Sequence, residues 1–369
     1  MRYLGRMSKD TWIAVGSSTL LVLLIVLFGT RGVSTPPTPA PSAEVSLREL
    51  GEVPTPPTVQ TSTSSLVASP STAGSKAAAP KKQVDVLPPG LALSLGSLRN
   101  ALVNVICAAE DGSVRSVSGS GVFISSDGLI VTNAHIAQLF LLRDYPTKNN
   151  VLCVIRAGNP ARTAYIAELS YISGPWIRAN SRTLTISDPK GTGKDDFALL
   201  RVTASATDTP LPSRFPFVPL AENDPYDLEQ PVSIGSYGAQ ALTSVQIREY
   251  LYPTLVFGSI KDQFTFNTTT VDVLALGGSA VAQEGSSGGG VVNTKGELIA
   301  VISTSSVVGD LIKRDLHAIT VDHIRRSFEA DTGSSLDAYV DNTTSSYLVA
   351  RFRNASLALS GILVNALRK

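Results

Sequence analysis

The feature that most constrains the fold is a succession of short β-rich runs, separated by turns, between Leu91 and about Ala330. Runs of this length and spacing are typical of all-β barrels or sandwiches. They fall into two groups, and the pattern therefore predicts two barrels. The runs are residues 103–107, 121–124, 129–132, 151–155 and 197–202 in the first group, and residues 232–234, 254–257, 269–274, 291–292, 298–302 and 316–319 in the second.

The end of the chain has a different pattern. Residues 321–330 are predicted to form a closing helix, because Ile324 and Phe328 fall on one helical face. The following segment, residues 331–369, is treated as a separate C-terminal tail. Its apolar last part is interrupted by two arginines, so it is too charged for a membrane span. We expect this last part, residues 347–367, to form an amphipathic helix that packs on the domain or lies on a surface, whereas residues 331–346 are polar and turn-like.

The N-terminus carries an apolar run, Thr11–Thr30, which is 20 residues long and has no charged side chain. This length matches the ~20 residues that cross the hydrocarbon core of a bilayer. Basic residues precede the run at positions 2, 6 and 9, so the positive-inside rule places the short N-terminus in the cytoplasm. We predict that residues 1–31 form a cytoplasmic N-terminus and a single-pass anchor in the cell membrane. A cleaved signal peptide is the alternative.

Residues 32–90 are rich in Pro, Ser, Thr and Ala, and they contain 11 of the 22 prolines. A segment of this composition cannot bury enough apolar surface to become ordered, and its prolines favour extended conformations. It is predicted to be a disordered linker that holds the folded part, residues 91–330, outside the cytoplasm. Whether its length matters for function stays open.

The charge balance excludes one class of partner. The chain has 31 Lys and Arg against 30 Asp and Glu, a net charge of +1, and we expect no binding to nucleic acid. It has three histidines and two cysteines, and the cysteines lack the spacing of metal ligands. We therefore expect no metal site and no cofactor.

The two cysteines, Cys107 and Cys153, leave two possibilities open. An extracytoplasmic domain can keep a disulfide, which here would close a loop of 46 residues (153 minus 107) around His135. The alternative is a pair of buried free thiols that act as small apolar residues. Nothing in the sequence shows that their two predicted strands are neighbours.

Three polar motifs supply the residue types that nucleophilic catalysis by serine requires, in the order His, Asp, Ser. They supply His135 after the run 129–132, Asp196 before the run 197–202, and Ser287 within a glycine-rich stretch. A serine hydroxyl needs an imidazole to take its proton and a carboxylate to orient that imidazole. Two neighbours are rivals, namely Asp195 for the carboxylate and Ser286 for the nucleophile. We favour Asp196 because it directly precedes the apolar strand.

Four stretches resemble the trypsin-like serine peptidases, in particular the Deg/HtrA-type branch. Residues 119–135 resemble the hairpin that leads to the family's catalytic histidine, and residues 196–200 resemble its Asp-Leu-Ala-Leu-Leu strand. Residues 232–238 resemble the strand that starts its second barrel, and residues 285–289 its Gly-Asn-Ser-Gly-Gly motif. The resemblance implies an all-β fold of two six-stranded Greek-key β-barrels with a closing C-terminal helix.

The resemblance also implies roles for residues. Ser287 is the expected nucleophile, His135 the general base and acid, and Asp196 the orienting carboxylate. The N–H groups of Gly285 and Ser287 are the expected oxyanion hole. The family's primary specificity pocket maps to a set without a carboxylate, which predicts a neutral pocket for small or medium aliphatic side chains. This set is Val281, Ser303, Thr304, Ser305, His317, Ala318 and Ile319.

These matches favour a membrane-anchored serine endopeptidase that cleaves unfolded or extracytoplasmic polypeptides. The chain departs from the family pattern at Ser286, where Asn is usual, and at Gly290, where Pro is usual. We expect Gly290 to add backbone freedom after the nucleophile loop. No peptide-binding PDZ domain is expected after Ala330. The departures motivate an alternative, a catalytically inactive domain that serves as a surface binding module. A stalked adhesin is a further alternative, and the oligomeric state is not indicated.

Overall fold

The computed structural model describes residues 88–186, 192–240, 242–266, 269–305, 315–341 and 345–368. The predicted anchor, residues 1–31, and residues 32–87 of the predicted linker lie outside this part of the chain. Within the described ranges, no helix combines the length and the apolar character that crossing a membrane requires.

The first group of strands closes into a six-stranded antiparallel barrel, as predicted, in the order β1-β2-β3-β6-β5-β4. Its strand β5 is absent from the sequence prediction, because polar residues such as Glu168 interrupt its apolar pattern. The strands are β1 (Leu102–Ala109), β2 (Val117–Phe123), β3 (Leu129–Thr132), β4 (Val151–Ala157), β5 (Arg162–Ile172) and β6 (Ala198–Ser205).

In the described residues, the second group forms a barrel-like sheet of seven strands, where six were predicted, in the order β8-β7-β11-β12-β13-β10-β9. The additional strand is β9, a short and mostly exposed edge strand with no apolar alternation to reveal it. The strands are β7 (Pro231–Ser236), β8 (Thr254–Ser259), β9 (Asp262–Phe264), β10 (Val273–Ala275), β11 (Gly290–Val292), β12 (Leu298–Ser305) and β13 (Leu316–Thr320).

Helices surround the two sheets. Helix α1 precedes β1 and buries Leu91 and Leu98 against the second sheet, and it was not predicted from the sequence. The closing helix α5 was predicted, and it ends two residues later than expected. The helices are α1 (Leu91–Ala101), α2 (Ala134–Ala137), α3 (Gly174–Asn180), α4 (Ser244–Glu249), α5 (Val321–Thr332), α6 (Leu336–Asp341) and α7 (Ser345–Leu367).

The C-terminal tail is helical, and its long helix α7 packs on the first barrel. Leu359 and Leu363 are buried, and α7 contacts β5, α3 and the 3₁₀ turn Ser181–Thr185. Of the two arrangements expected for the apolar last part, α7 has the packed one, whereas α6 lies in residues that the sequence predicted to be turn-like. Helices α3, α5 and α7 line a cavity of about 370 Å³, and none of the predicted site residues whose side chains are described lines it.

Gly290, which we expected to add backbone freedom, lies in a paired strand of the second sheet. It is the first residue of β11 and pairs with Gly235 on one side and Val301 on the other. A Cβ atom added there would meet side-chain carbons of Leu98, Val122 and Leu298 at 2.9 to 3.0 Å. The glycine is therefore explained by the close approach of α1 and β2, and the inference of added freedom was wrong.

Cys107 and Cys153 face each other on β1 and β4, and the structure joins them in a disulfide. Their Cα atoms are 4.1 Å apart, because the two residues are direct partners in the antiparallel register. The bond links neighbouring strands of the barrel that leads to His135.

Helix α5 is fixed to the second sheet through the buried carboxylate of Asp272, which precedes β10. Its Oδ1 accepts hydrogen bonds from Thr270, from Arg326 at 2.6 Å, and from His323 Nδ1 at 3.1 Å. Its Oδ2 accepts the Phe266 N–H at 2.7 Å. Burial raises the pKa of Asp272, but these hydrogen bonds outweigh it and lower the pKa to about 2.

The disulfide predicts that thiol titration of the unfolded, unreduced protein finds no free cysteine. The Cys153→Ser variant, titrated in the same way, should release one thiol, that of Cys107. On the chain-entropy account, closure of the 46-residue loop contributes about 4 kcal/mol, so reduction should lower the unfolding free energy measurably. Two titratable thiols in the native sequence would contradict the assignment.

The Asp272 cluster predicts a specific acid destabilisation. A carboxyl group whose pKa is lower in the folded state stabilises the fold above its unfolded pKa, and the contribution is lost as the pH falls towards the folded value. The unfolding free energy should therefore fall by about 2 kcal/mol more in the native protein than in Asp272→Asn between about pH 6 and pH 2. Denaturant titrations at both pH values measure this, and equal losses in both proteins would refute it.

Candidate active site

His135 and Asp196 form a directly hydrogen-bonded pair at the first barrel. His135 lies in α2, one turn after β3, and Asp196 lies just before β6, the neighbour of β3 in the sheet. The His135 Nδ1–H donates to Asp196 Oδ2 at 2.7 Å, and the His135 backbone N–H donates to Asp196 Oδ1 at 2.9 Å. The imidazole is 32% exposed, whereas the carboxylate is 6% exposed. The pair thus presents the other ring nitrogen, Nε2, as its accessible base.

The same carboxylate is bonded to the second sheet. Ser303, on β12, donates its hydroxyl to Asp196 Oδ2 at 3.1 Å. Asn133 donates its side-chain N–H to the Asp196 carbonyl at 2.8 Å, which fixes the backbone at this residue. A buried carboxylate that stays ionised needs several donors of this kind. The sequence placed Ser303 in the specificity pocket, and the structure places its hydroxyl on Asp196.

The glycine-rich stretch forms a tight loop before β11. Gly285 has φ +88° and Gly288 has φ +86°, conformations that residues with a side chain rarely adopt. A Cβ atom at Gly288 would also overlap the carbonyl oxygen of Ser120 on β2. The glycines therefore allow the loop to turn sharply while it lies directly against the first barrel.

The two serines of this loop have opposite surroundings. Ser286 is 1% exposed, and its Oγ accepts a hydrogen bond from the Ser236 hydroxyl at 3.0 Å, so it faces the interior. Ser287 is half-buried, and its hydroxyl reaches the Ser303 carbonyl oxygen at a long 3.4 Å. Only Ser287 presents an accessible hydroxyl, and Ser303 connects it to the Asp196 carboxylate.

Ser120 joins the two sheets at this loop, a role that the sequence analysis did not identify. Its N–H donates to the Ser287 carbonyl at 2.7 Å, and its hydroxyl donates to the Gly285 carbonyl at 2.8 Å. The same hydroxyl accepts the Tyr237 N–H at 2.8 Å. The Gly-Ser-Gly sequence at residues 119–121 is the one signal that could have indicated it, because both flanking glycines make room for close packing.

The backbone donors of the loop are arranged as an anion site requires. In the described part of the chain, the N–H groups of Gly285 and Ser287 donate to no protein acceptor, while the Gly288 and Gly289 N–H groups bond to Ile302 and Ser286 carbonyls. Two unpaired N–H groups that flank one half-buried hydroxyl can stabilise a negative oxygen that forms there.

Asp195, the rival carboxylate, points away from this pair. Its Oδ1 accepts from Ser327 at 2.8 Å and lies 3.2 Å from His323 Nε2, both on α5. The hydrogen bond from His323 lowers the pKa of Asp195, with a further contribution from Ser327. Consecutive carboxylates thus contact different histidines, and His135 is bonded to Asp196 alone of the two.

The residues predicted for the specificity pocket are only partly brought together at a surface. Val281, Ala318 and Ile319 are fully buried in the core, so they pack the sheets. His317 is half-buried, and its Nε2 lies 3.0 Å from the exposed carboxylate of Asp315, which the sequence analysis had not considered. The side chains of Thr304 and Ser305 lie outside the described part of the structure.

The match to one protein family agrees with this geometry. Residues 119–301 match the family model described as trypsin-like peptidase domain. A serine endoprotease from Yersinia pestis has a solved structure similar to this chain, with 20% identity and a TM-score of 0.42, over 66% of this chain and 67% of that one. No curated protein matches the chain. Residues 119–301 therefore form a trypsin-like peptidase domain, and the chain is a serine endopeptidase.

Proposed function

We propose that this protein is a membrane-anchored, extracytoplasmic serine endopeptidase that works through a triad of Ser287, His135 and Asp196. The observation that carries the proposal is the Asp196 carboxylate, which accepts hydrogen bonds from His135 and from Ser303. Ser303 also accepts the Ser287 hydroxyl on its carbonyl, so it connects the Asp196 carboxylate to the loop of Ser287. The Deg/HtrA-type branch is supported by the motif resemblance at residues 119–135 and 196–200.

The proposed reaction begins with attack of the Ser287 Oγ on a peptide carbonyl carbon. For this step the hydroxyl turns from the Ser303 carbonyl towards His135 Nε2, which takes its proton as general base. Asp196 accepts the hydrogen bond from Nδ1–H, so Nε2 is the free base. The Asp196 carboxylate then stabilises the imidazolium that forms. The imidazolium then protonates the leaving amine. Water hydrolyses the acyl-enzyme by the same proton transfers.

The negative oxygen of each tetrahedral intermediate is expected between the Gly285 and Ser287 N–H groups. Their lack of other acceptors in the described part of the chain supports this role, because they need no rearrangement to bind an anion. A single donor of this kind contributes about 3–4 kcal/mol to lowering the barrier. Ser120 orients the loop through its bonds to the Gly285 and Ser287 carbonyls.

The extracytoplasmic location rests on sequence and on one structural feature. The uncharged run 11–30 and the basic residues before it support an anchor with the domain outside. The disulfide between Cys107 and Cys153 is the kind of bond that persists in an oxidising compartment. The substrates proposed are unfolded or extracytoplasmic polypeptides, with small or medium aliphatic side chains at the cleavage site.

Ser287→Ala should lower the kcat for hydrolysis of an unfolded polypeptide at least about a thousandfold, because the nucleophile is lost. Its fold should be unchanged, since the half-buried hydroxyl makes one long hydrogen bond. The matched control is Ser286→Ala, which removes the buried hydroxyl of the adjacent serine. Ser286→Ala should keep hydrolysis. An active Ser287→Ala protein with an inactive Ser286→Ala protein would reverse the assignment, and an inactive native protein would favour the binding-module alternative.

The proposed topology is tested with a reporter fused after Gly90, ahead of the folded part. In a bacterial host, alkaline phosphatase at this position should be active and green fluorescent protein dark, since only the former matures outside the cytoplasm. The matched control replaces Arg2, Arg6 and Lys9 with Glu, which removes the charge bias and should lower phosphatase activity. Cytoplasmic reporter activity would refute the location, and a mature N-terminus near residue 30 would refute the uncleaved anchor.

A further inference from the structure

A second histidine lies between two carboxylates behind the proposed triad. His323, on the first turn of α5, has a side chain that is 8% exposed. Its Nδ1 lies 3.1 Å from Asp272 Oδ1, and its Nε2 lies 3.2 Å from Asp195 Oδ1. Both ring nitrogens thus contact carboxylate oxygens directly, which leaves no room for an ion between them.

The two contacts together define a protonation state. A neutral imidazole has one N–H donor and one acceptor nitrogen, and an ionised carboxylate only accepts. Both contacts are hydrogen bonds only when His323 carries both protons. In the neutral form, one ring nitrogen would direct its lone pair at a carboxylate oxygen, which is repulsive.

The surrounding charges decide which contact is lost on deprotonation. Asp272 keeps strong donors from Arg326 and the Phe266 N–H, and it is 1% exposed, so it retains the Nδ1–H of a neutral His323. Asp195 is more exposed and keeps only Ser327 as a hydrogen-bond donor from α5, with the charge of Lys194 also acting on it. The contact between Nε2 and Asp195 is therefore the one that opens.

Asp195 is coupled to the triad through a tight turn. The Asp196 N–H donates to the Gly193 carbonyl at 3.1 Å, and Asp195 has φ +58°, a left-handed conformation that a non-glycine residue holds only with support. The bonds from His323 and Ser327 provide that support from α5. Release of Asp195 loosens the turn whose next side chain orients His135.

We infer that doubly protonated His323 is a positioning residue for the proposed reaction, holding the Asp195–Asp196 turn in the geometry that orients His135. The inference rests on the proposed function of Asp196. On this inference, the reaction needs two histidines in opposite protonation states. His135 acts as a base in its neutral form, so the rate rises with pH as it loses its proton. His323 acts in its charged form, so kcat falls again as the pH rises past its deprotonation.

Two variants separate this positioning from a purely structural role. In Asp195→Asn, the side-chain N–H donates to Nε2 of a neutral His323, so both contacts survive at high pH. Its pH profile should keep the rising limb and lose the falling limb. In Ser327→Ala, Asp195 loses a neutral donor while the charge of His323 is untouched. Its kcat should fall by about tenfold or less, with the falling limb retained.

The experiment has two arms on the full chain. The first arm measures kcat for a polypeptide substrate from about pH 5 to about pH 9 in the native protein and both variants. A falling limb in the native protein that Asp195→Asn removes supports the inference. A falling limb that persists in Asp195→Asn, or a native profile with the rising limb alone, overturns it.

The second arm uses nuclear magnetic resonance of ¹⁵N-labelled histidines in Ser287→Ala, with His323→Gln to assign the signal. His323 should show two protonated nitrogens at the pH of maximal activity, and its deprotonation should shift the His135 signals. A neutral His323 at that pH overturns the inference, and so do His135 signals that do not shift when His323 loses its proton. This arm does not depend on turnover. A protein that hydrolyses no polypeptide refutes the proposed function. The histidine signals, measured across the same pH range, still decide whether His323 is charged and whether its deprotonation affects His135.

Discussion

The buried carboxylate of Asp196 is the interaction on which the proposed site depends. It accepts two hydrogen bonds from His135 of the first barrel and one from Ser303 of the second sheet. A carboxylate buried to this extent costs several kcal/mol unless each oxygen accepts hydrogen bonds. Because its donors come from both sheets, the buried position of Asp196 requires the two sheets to be correctly placed against each other. The site therefore exists only where the two sheets meet, and neither sheet contains it alone.

The loop that carries Ser287 also depends on close contact between the two sheets. Ser120 holds the loop through the carbonyls of Gly285 and Ser287, and the left-handed glycines allow the approach. In the part of the chain that the structure describes, the N–H groups of Gly285 and Ser287 donate to no protein acceptor, which suits the proposed oxyanion site. Gly290 also allows a close approach, since Leu98 of α1 fills the space that a side chain at this position would occupy. The departure from the family pattern at Gly290 thus has a packing explanation.

Much of this arrangement could be predicted from the sequence, because each main motif combines a reactive residue with an apolar strand beside it. The His135 and Asp196 segments adjoin β3 and β6, whose strong apolar patterns are visible without structure. Strand β9 and helix α1 were not predicted, because the hydrophobic pattern of each segment is not typical of the structure that it forms. Strand β9 is short and polar, and α1 has leucines at positions 91, 93 and 95 that alternate as in a strand, with Leu93 79% exposed.

The contacts that tune the site could not be predicted, because they join residues far apart in the chain. The hydroxyl of Ser303 reaches Asp196 across 107 positions, and His323 reaches Asp195 across 128. A single sequence contains the residue types for these contacts without their register. The same holds for the specificity pocket, where the full burial of Val281 and Ala318 follows from how the second sheet closes over its core.

The central claim is that Asp196, His135 and Ser287 act as one unit at the junction of the sheets. A crystal structure of the protein after reaction with a fluorophosphonate tests it most directly, since this reagent bonds to an activated serine. The account predicts phosphorus on Ser287 Oγ, one phosphonyl oxygen within hydrogen-bond distance of the Gly285 and Ser287 N–H groups, and an intact bond between His135 and Asp196. An adduct on Ser286, or an unmodified Ser287 with its hydroxyl still on the Ser303 carbonyl, would contradict it.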